Sequence, residues 1–182
     1  RLTMILLTAL AASAAAAQPY PQRPIRLVVP YSAGGSTDTV ARIVGQRLSE
    51  RLGQQVVVDN RTGAGTLIGT GIVAQSAPDG YTLLMATPPL AINPALYPKV
   101  PYVLERDFAP VTNIAASSNL LVVHPSVPAH SVRELIALLK AHPGKYNYGS
   151  SGIGGASHLA TALFASMAGV DAVHVPYKGG AP

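Results

Sequence analysis

The chain has 182 residues, a formal net charge of +5, 48% hydrophobic and 12% charged residues, and no cysteine. The apolar content excludes a disordered chain, and the missing cysteine excludes disulfides, zinc–thiolate sites and thiol catalysis. The basic residues form no run and there are no Trp and only two Phe, so a nucleic-acid groove with stacking platforms is unsupported and a diffuse attraction for anions is the milder reading.

Arg1 leads into an apolar run, Leu2 to Ala17, that ends in four alanines, Ala14 to Ala17. A positive start, an apolar middle and a small-residue exit are the parts of a secretory signal peptide. The run falls short of the ~20 apolar residues of a spanning helix. Export to the periplasm is therefore expected ahead of a membrane anchor or a buried helix, with a mature start near Gln18.

Ile25 to Pro30 reads as a buried strand and Tyr31 to Ser36 as a turn. Thr37 or Asp38 is then expected to cap a helix reaching Leu52, with Val40, Ile43, Val44 and Leu48 on one face and Gly53 as its left-handed stop. Gln55 to Asp59 reads as a strand, Gly65 to Gln75 as a Gly-rich helix and Tyr81 to Ala86 as a third strand. This alternation implies a parallel sheet. Thr87 to Pro110 is Pro-rich and aperiodic, which predicts a crossing or hinge stretch and no helix. Val111 to Ile114 and Leu120 to Val123 read as strands. Ser131 and Glu134 form a capping box for a helix ending before Pro143. Tyr146 to Tyr148 is a strand, His158 to Met167 a helix and Ala172 to Val175 a strand.

A strand, a Gly/Ser loop and a helix thus occur once on each side of the Pro-rich stretch, which suggests two facing lobes. The expected division is a signal peptide over 1–17, a first α/β lobe with the crossing segment over 18–110, and an incomplete second lobe over 111–182. The end in a turn suggests a chain truncated at its C-terminus.

The loop Ser32-Ala33-Gly34-Gly35-Ser36-Thr37-Asp38 offers amides and hydroxyls at a helix start, a natural anion site. Turn formation and capping explain the same residues about as well, and the Lys of a phosphate-binding Walker loop is missing. The loop Ser150 to His158 repeats this logic. Gly149 and Ser151 begin a nucleophile-elbow pattern, but Ile153 stands where its second Gly belongs. Gly63 to Gly69 has one residue too many for a dinucleotide fingerprint, so helix entry and close packing are favoured. The five histidines form no metal-ligand pair. His158 is the one expected near a ligand, the other four being surface or structural. Tyr31 and Tyr177 end strands beside turns, where each can donate a hydrogen bond or pack over its loop.

The segments Tyr20 to Arg26, Val29 to Asp38, Asp59 to Gly65, Pro78 to Leu84, Ile92 to Tyr97, Asp107 to Thr112 and His174 to Gly179 resemble, in order and spacing, the substrate-binding proteins of tripartite tricarboxylate transporters, the Bug family. The resemblance runs from Tyr20 to Pro182. It implies a two-lobe Venus flytrap of the periplasmic-binding-protein kind, a monomer with no cofactor, that hands an organic acid to membrane permease subunits. The carboxylate would be held by neutral donors from both lobes. Tyr31, Ser32, Gly34, Gly35, Ser36, Thr37, Asp38 and Thr87 would serve from the first lobe. Ser150, Ser151, Gly152, Gly155, Ser157, His158 and Tyr177 would serve from the second. Tyr31 stands where Phe is common, which adds a hydroxyl, and Ala162 where an acidic residue is common, which removes a contact. The competing readings are an exported α/β enzyme such as a hydrolase, disfavoured by the lack of a catalytic constellation, and a periplasmic sensor subunit on the same fold.

Overall fold

The computed structural model describes residues 19–180; the expected signal peptide over 1–17 lies outside the described residues. Two parallel sheets organise the chain. In the first, β1 (Ile25–Val29) is central, between β2 (Val56–Asn60) and β3 (Thr82–Leu84). A strand buried on both faces needs a continuous apolar run, and β1 supplies one: Ile25, Leu27, Val28 and Val29 are each at most 4% exposed. Ile25 aligns with Val56 and Leu27 with Leu83. Helix α1 (Ser36–Leu52) packs Ala41, Val40, Leu48 and Leu52 on this sheet. Gly53 ends it at φ 67° and donates to Ser49 O.

Helix α1 starts ahead of the expected caps. Gly35 is the N-cap, in extended conformation and with no side-chain cap. Thr37 and Asp38 lie inside the helix because the Asp38 carboxylate folds back, accepting from the Gly34 amide at 2.8 Å. The Gly-rich helix divides into a short 3₁₀ turn, Ala64–Thr66, and helix α2 (Leu67–Ala74).

The Pro-rich stretch is helical in two places, α3 (Pro89–Leu96) and α4 (Leu104–Asp107), contrary to the expectation of an aperiodic segment. Pro89 opens α3, where its missing amide costs nothing. Pro94 deprives the Leu90 carbonyl of its helical donor, and the Tyr102 hydroxyl replaces it at 2.7 Å. The helix survives its internal proline through that one substitution of partner.

The second sheet pairs β4 (Asn147–Ser150) with β5 (Val173–Pro176), Asn147 opposite Val173. Helix α5 (Val132–Ala141) begins with the Ser131 half of the expected box, Ser131 Oγ accepting from Glu134 N, while Glu134 Oε2 accepts from the amide of His130, one residue before the cap, at 2.7 Å. Leu135 and Leu139 of α5 build a small core with Tyr146, Phe164 and Val170. Helix α6 (Ala156–Ala168) follows the second Gly/Ser loop and covers β4. The strands expected at 111–114 and 120–123 do not form. Their β-prone residues find no ladder partner here, and Val111 and Leu120 are each 84% exposed. Propensity alone does not make a strand; cross-strand pairing does.

Candidate functional site

A cleft of about 190 Å³ opens between the two sheets' C-terminal ends. Its first wall is Pro30, Tyr31 and the turn Gly63, Ala64, Gly65, Thr66; its second is Ser151, Gly152, Ile153, Gly155 and Pro176, Tyr177, Lys178. The volume is below the ~300–1,000 Å³ of drug-sized sites, so it suits a small molecule. Lys178 is the only charged residue in this lining, and no carboxylate is among it.

The turn at Gly63 to Thr66 is the feature the sequence undervalued. Four successive residues have positive φ: Gly63 at 126°, Ala64 at 46°, Gly65 at 61° and Thr66 at 81°. Left-handed backbone at a β-branched residue is costly, on the order of 1–3 kcal/mol, and such strain concentrates at ligand clamps. Asn93, fully buried on α3, holds the turn by donating Nδ2 to Gly65 O at 2.9 Å and to Thr66 Oγ1 at 3.3 Å. The G-x-G after β2 was the available signal. Close packing does account for Gly69, where a Cβ would come within 2.8 Å of Arg61 O.

Of the expected first-lobe residues, Tyr31 lines the cleft, and its hydroxyl is paired with Thr87 Oγ1 at 2.9 Å. Burial pushes the Tyr31 phenol up, the Thr87 bond opposing it. Ser32 reaches the other lobe: its amide and its Oγ both donate to the Lys178 carbonyl, at 3.2 and 2.9 Å. Gly34, Gly35, Ser36, Thr37 and Asp38 are not among the residues that line it. The positive φ of this loop is at Gly34, 84°, while Gly35 is extended at −76°. Asp38, 2% exposed, accepts from the Gly34 amide, from Arg42 Nε at 2.9 Å and from Asn60 Nδ2 at 3.0 Å. Asn60 Nδ2 also donates to Tyr31 O. The Arg42 bond above all, with the Gly34 and Asn60 bonds, holds the carboxyl down at about 2 against the effect of burial. Asp38 therefore locks the loop, its charge already answered.

In the second lobe, Ser151, Gly152, Gly155 and Tyr177 line the cleft. The Tyr177 ring packs over Gly149, where a Cβ would meet it at 3.5 Å. Ser157 Oγ accepts from the Ser151 amide at 3.2 Å. Ser150 Oγ is 2.6 Å from His174 Nε2, and the Gly154 amide donates to His158 Nδ1 at 3.1 Å. His158 and His174 stack with centroids 4.1 Å apart, and Tyr148 covers the other face of His174 at 4.8 Å. Burial, then the neighbouring His158, pushes His174 down. His174, read from sequence as surface or structural, is thus a partner of His158 beneath the loop. The N-cap of α6, Gly155, has no side-chain cap, so the first-turn amides stand at a positive helix end. Among the described residues no group of three or more His, Cys, Asp or Glu can hold a metal ion, and no helix is long and apolar enough to cross a membrane.

Two α/β lobes, with parallel strands pointing their C-terminal ends at a shared cleft of glycine-rich loops, are the architecture of the periplasmic solute-binding proteins. Residues 40–182 match the tripartite tricarboxylate transporter family receptor, TctC, and the chain belongs to that family. It is 41% identical over 181 residues to protein BugT of Bordetella pertussis, covering 98% of this chain and 56% of BugT. Its fold matches an R. palustris protein solved with adipate at a TM-score of 0.85 and 42% identity, over 88% of this chain and 54% of that one. MatC of Rhodopseudomonas palustris, solved with bound malate, matches at 0.79 and 32% identity over 88% and 55%. The chain spans about half the length of the curated relatives it matches.

Proposed function

We propose that this protein captures a small dicarboxylate in the cleft between its lobes and delivers it to the membrane permease subunits of a tripartite transporter. The observation that carries the reading is the lining of the cleft. The Gly63 to Thr66 turn with Tyr31 from the first lobe and the Gly/Ser loop with Tyr177 from the second surround a space of about 190 Å³ with neutral groups, beside one lysine and no carboxylate. Relatives at 42% and 32% identity hold adipate and malate, so a short dicarboxylate is the class proposed here. Tyr31, Ser151, Gly152, Gly155 and Tyr177 are the proposed contacts, with Gly63 to Thr66 and Lys178 added to them. Ser32, Gly34 to Asp38, Thr87, Ser150, Ser157 and His158 support these contacts or meet the ligand as the lobes close. Residues 1–17 direct export to the periplasm, 18–110 and 111–182 form the two lobes, and the protein works as a monomer that returns its ligand chemically unchanged.

A thermal-shift screen of the purified protein against organic acids tests this. A ligand at 100 times its dissociation constant adds ~2.7 kcal/mol of stability, so adipate or malate is expected to raise the melting temperature by several degrees. No shift with any carboxylate, or conversion of a bound acid to a product, overturns the proposal.

A further inference from the structure

The Ser150–His158 loop is not held by packing alone. Two imidazoles lie under it, each tied to a different part. The Gly154 amide donates to His158 Nδ1 at 3.1 Å, which requires a lone pair on that nitrogen. His174 Nε2 is 2.6 Å from Ser150 Oγ, and that same oxygen accepts from the Gly152 amide at 3.2 Å. Gly152, Ile153 and Gly155 are cleft wall. The rings stack face to face, 9° from parallel, with Tyr148 on the far side of His174.

We infer that His158 and His174 are proton-sensitive positioning residues for the cleft wall, so that acid loosens the loop and weakens capture of the ligand; this rests on the cleft being the binding site proposed above. Protonating His158 at Nδ1 replaces the acceptor of the Gly154 amide with a second donor. It also places a cation 4.1 Å from the neighbouring ring. The titratable group stacked on the pair is Tyr148 from β4, against His174 of β5, and His174 in turn stacks on His158 of α6. From the first lobe, the groups closest to Gly154 are Leu96, Asn93 and Ile92 of α3, none of them charged. Among the described residues, no carboxylate forms an ion pair with either ring to stabilise the charged form. The sign follows: the neutral pair supports the loop at high pH, and support is lost as pH falls. Burial and the His158 neighbour both disfavour the charged form of His174 in the fold, which acts in the same direction.

The test has two arms on the purified protein between pH 8 and pH 5, where imidazoles titrate. Nitrogen NMR of labelled histidines is expected to show His158 in the tautomer protonated on Nε2 at pH 8, with the Gly154 amide shift titrating together with it. A proton on Nδ1 at pH 8, or a Gly154 amide indifferent to His158, overturns the inference. Calorimetry with adipate or malate is expected to give a dissociation constant about tenfold weaker at pH 5 than at pH 8, the effect of the lost Gly154 hydrogen bond. His158→Asn keeps an acceptor near the Nδ1 position without titrating, so its ratio of affinities between the two pH values, which carries only the protonation of the acid itself, is expected to be about tenfold smaller than the parent's. Parallel weakening in His158→Asn and the parent protein, or a flat parent profile, overturns it. If neither acid binds at any pH, the ligand reading fails by itself and the NMR arm still decides the histidine pair.

Discussion

Asn93 and Gly154 pack directly against each other with no side chain between them: a Cβ on Gly154 would stand 3.2 Å from Asn93 Oδ1 and 3.0 Å from Leu96 Cδ1. Asn93 already binds the left-handed turn of the first lobe through Nδ2, and its Oδ1 has no partner among the described residues. One buried amide therefore binds the strained turn at Gly63 to Thr66 and packs, without a hydrogen bond, against Gly154 of the second lobe. Gly65 makes the reciprocal approach, its Cβ position lying 3.4 Å from Ile153 O.

Gly154→Ala is expected to hinder this approach. The residue sits at φ 76°, where a side chain is strained, on top of the crowding against α3. The strain is worth about 1 kcal/mol, and the contact with Leu96 requires that side chain to move. Affinity for a ligand that draws the lobes together is expected to fall about tenfold or more, measured by calorimetry. An unchanged dissociation constant would mean that the lobes do not approach along this line.

Asn93→Leu keeps the branched outline at a larger volume and removes both N–H donors. The Gly65 carbonyl and the Thr66 hydroxyl lose their amide partner in a buried setting, at a cost of about 1–3 kcal/mol. The expected result is a lower urea midpoint at unchanged slope, with ligand binding lost because Gly63 to Thr66 relaxes from its left-handed path. A stable variant with full affinity would show that the turn is set by its own sequence.

Asp38 predicts an acid-linked loss of stability. Its carboxyl is held down at about 2 in the fold, by Arg42 first, with the Gly34 amide and Asn60 adding to it. A depressed carboxyl contributes stability that is present above the unfolded value near ~3.9 and is lost as pH falls toward the folded one. The window is therefore about pH 4 down to about pH 2. Asp38→Asn is expected to be less stable at neutral pH and to lose less stability on acidification through that window. Urea melts of both proteins at several pH values check this, and parallel curves would show that Asp38 carries no linked proton.

Much of this arrangement was readable from the chain and some was not, for identifiable reasons. Ile25 to Val29 was legible because a doubly buried strand must be continuously apolar, and Ser131 with Glu134 because a cap is a local device. The cleft wall at Gly63 to Thr66 was not, because Ala64 and Thr66 adopt left-handed backbone against their preference, held by an asparagine 27 residues from Thr66. Helix α3 was hidden by Pro94, whose cost is met by a tyrosine on a later segment. Asp38 looked like a cap or a ligand donor, and only its distance to Arg42 and Asn60 shows a carboxylate already occupied. The strands expected at 111–114 and 120–123 failed for the complementary reason: pattern without a pairing partner.

Ser32 and Lys178 supply the last prediction, which concerns how the lobes stay together. Both donors of Ser32 converge on the Lys178 carbonyl, and a Cβ on Gly179 would meet the Ser32 amide at 3.4 Å. This contact lies at the rim, where water competes, so the hydroxyl bond contributes about 0.5–1.5 kcal/mol. Ser32→Ala removes that bond and leaves the amide bond in place. The association rate is set by diffusion and docking of a small acid into an open cleft, before the latch forms, so it is expected to be unchanged. The dissociation rate is expected to rise about two- to tenfold, the kinetic equivalent of that energy. Stopped-flow measurement with adipate or malate separates the two rates. A slower association with unchanged dissociation would place Ser32 on the entry path and not in the latch. Small-angle scattering adds the structural half: the parent protein is expected to become more compact on saturation, and Ser32→Ala to do so less completely. If the parent's radius of gyration does not change on saturation, Ser32 and Lys178 hold the lobes together whether or not ligand is bound, and the closing motion is absent.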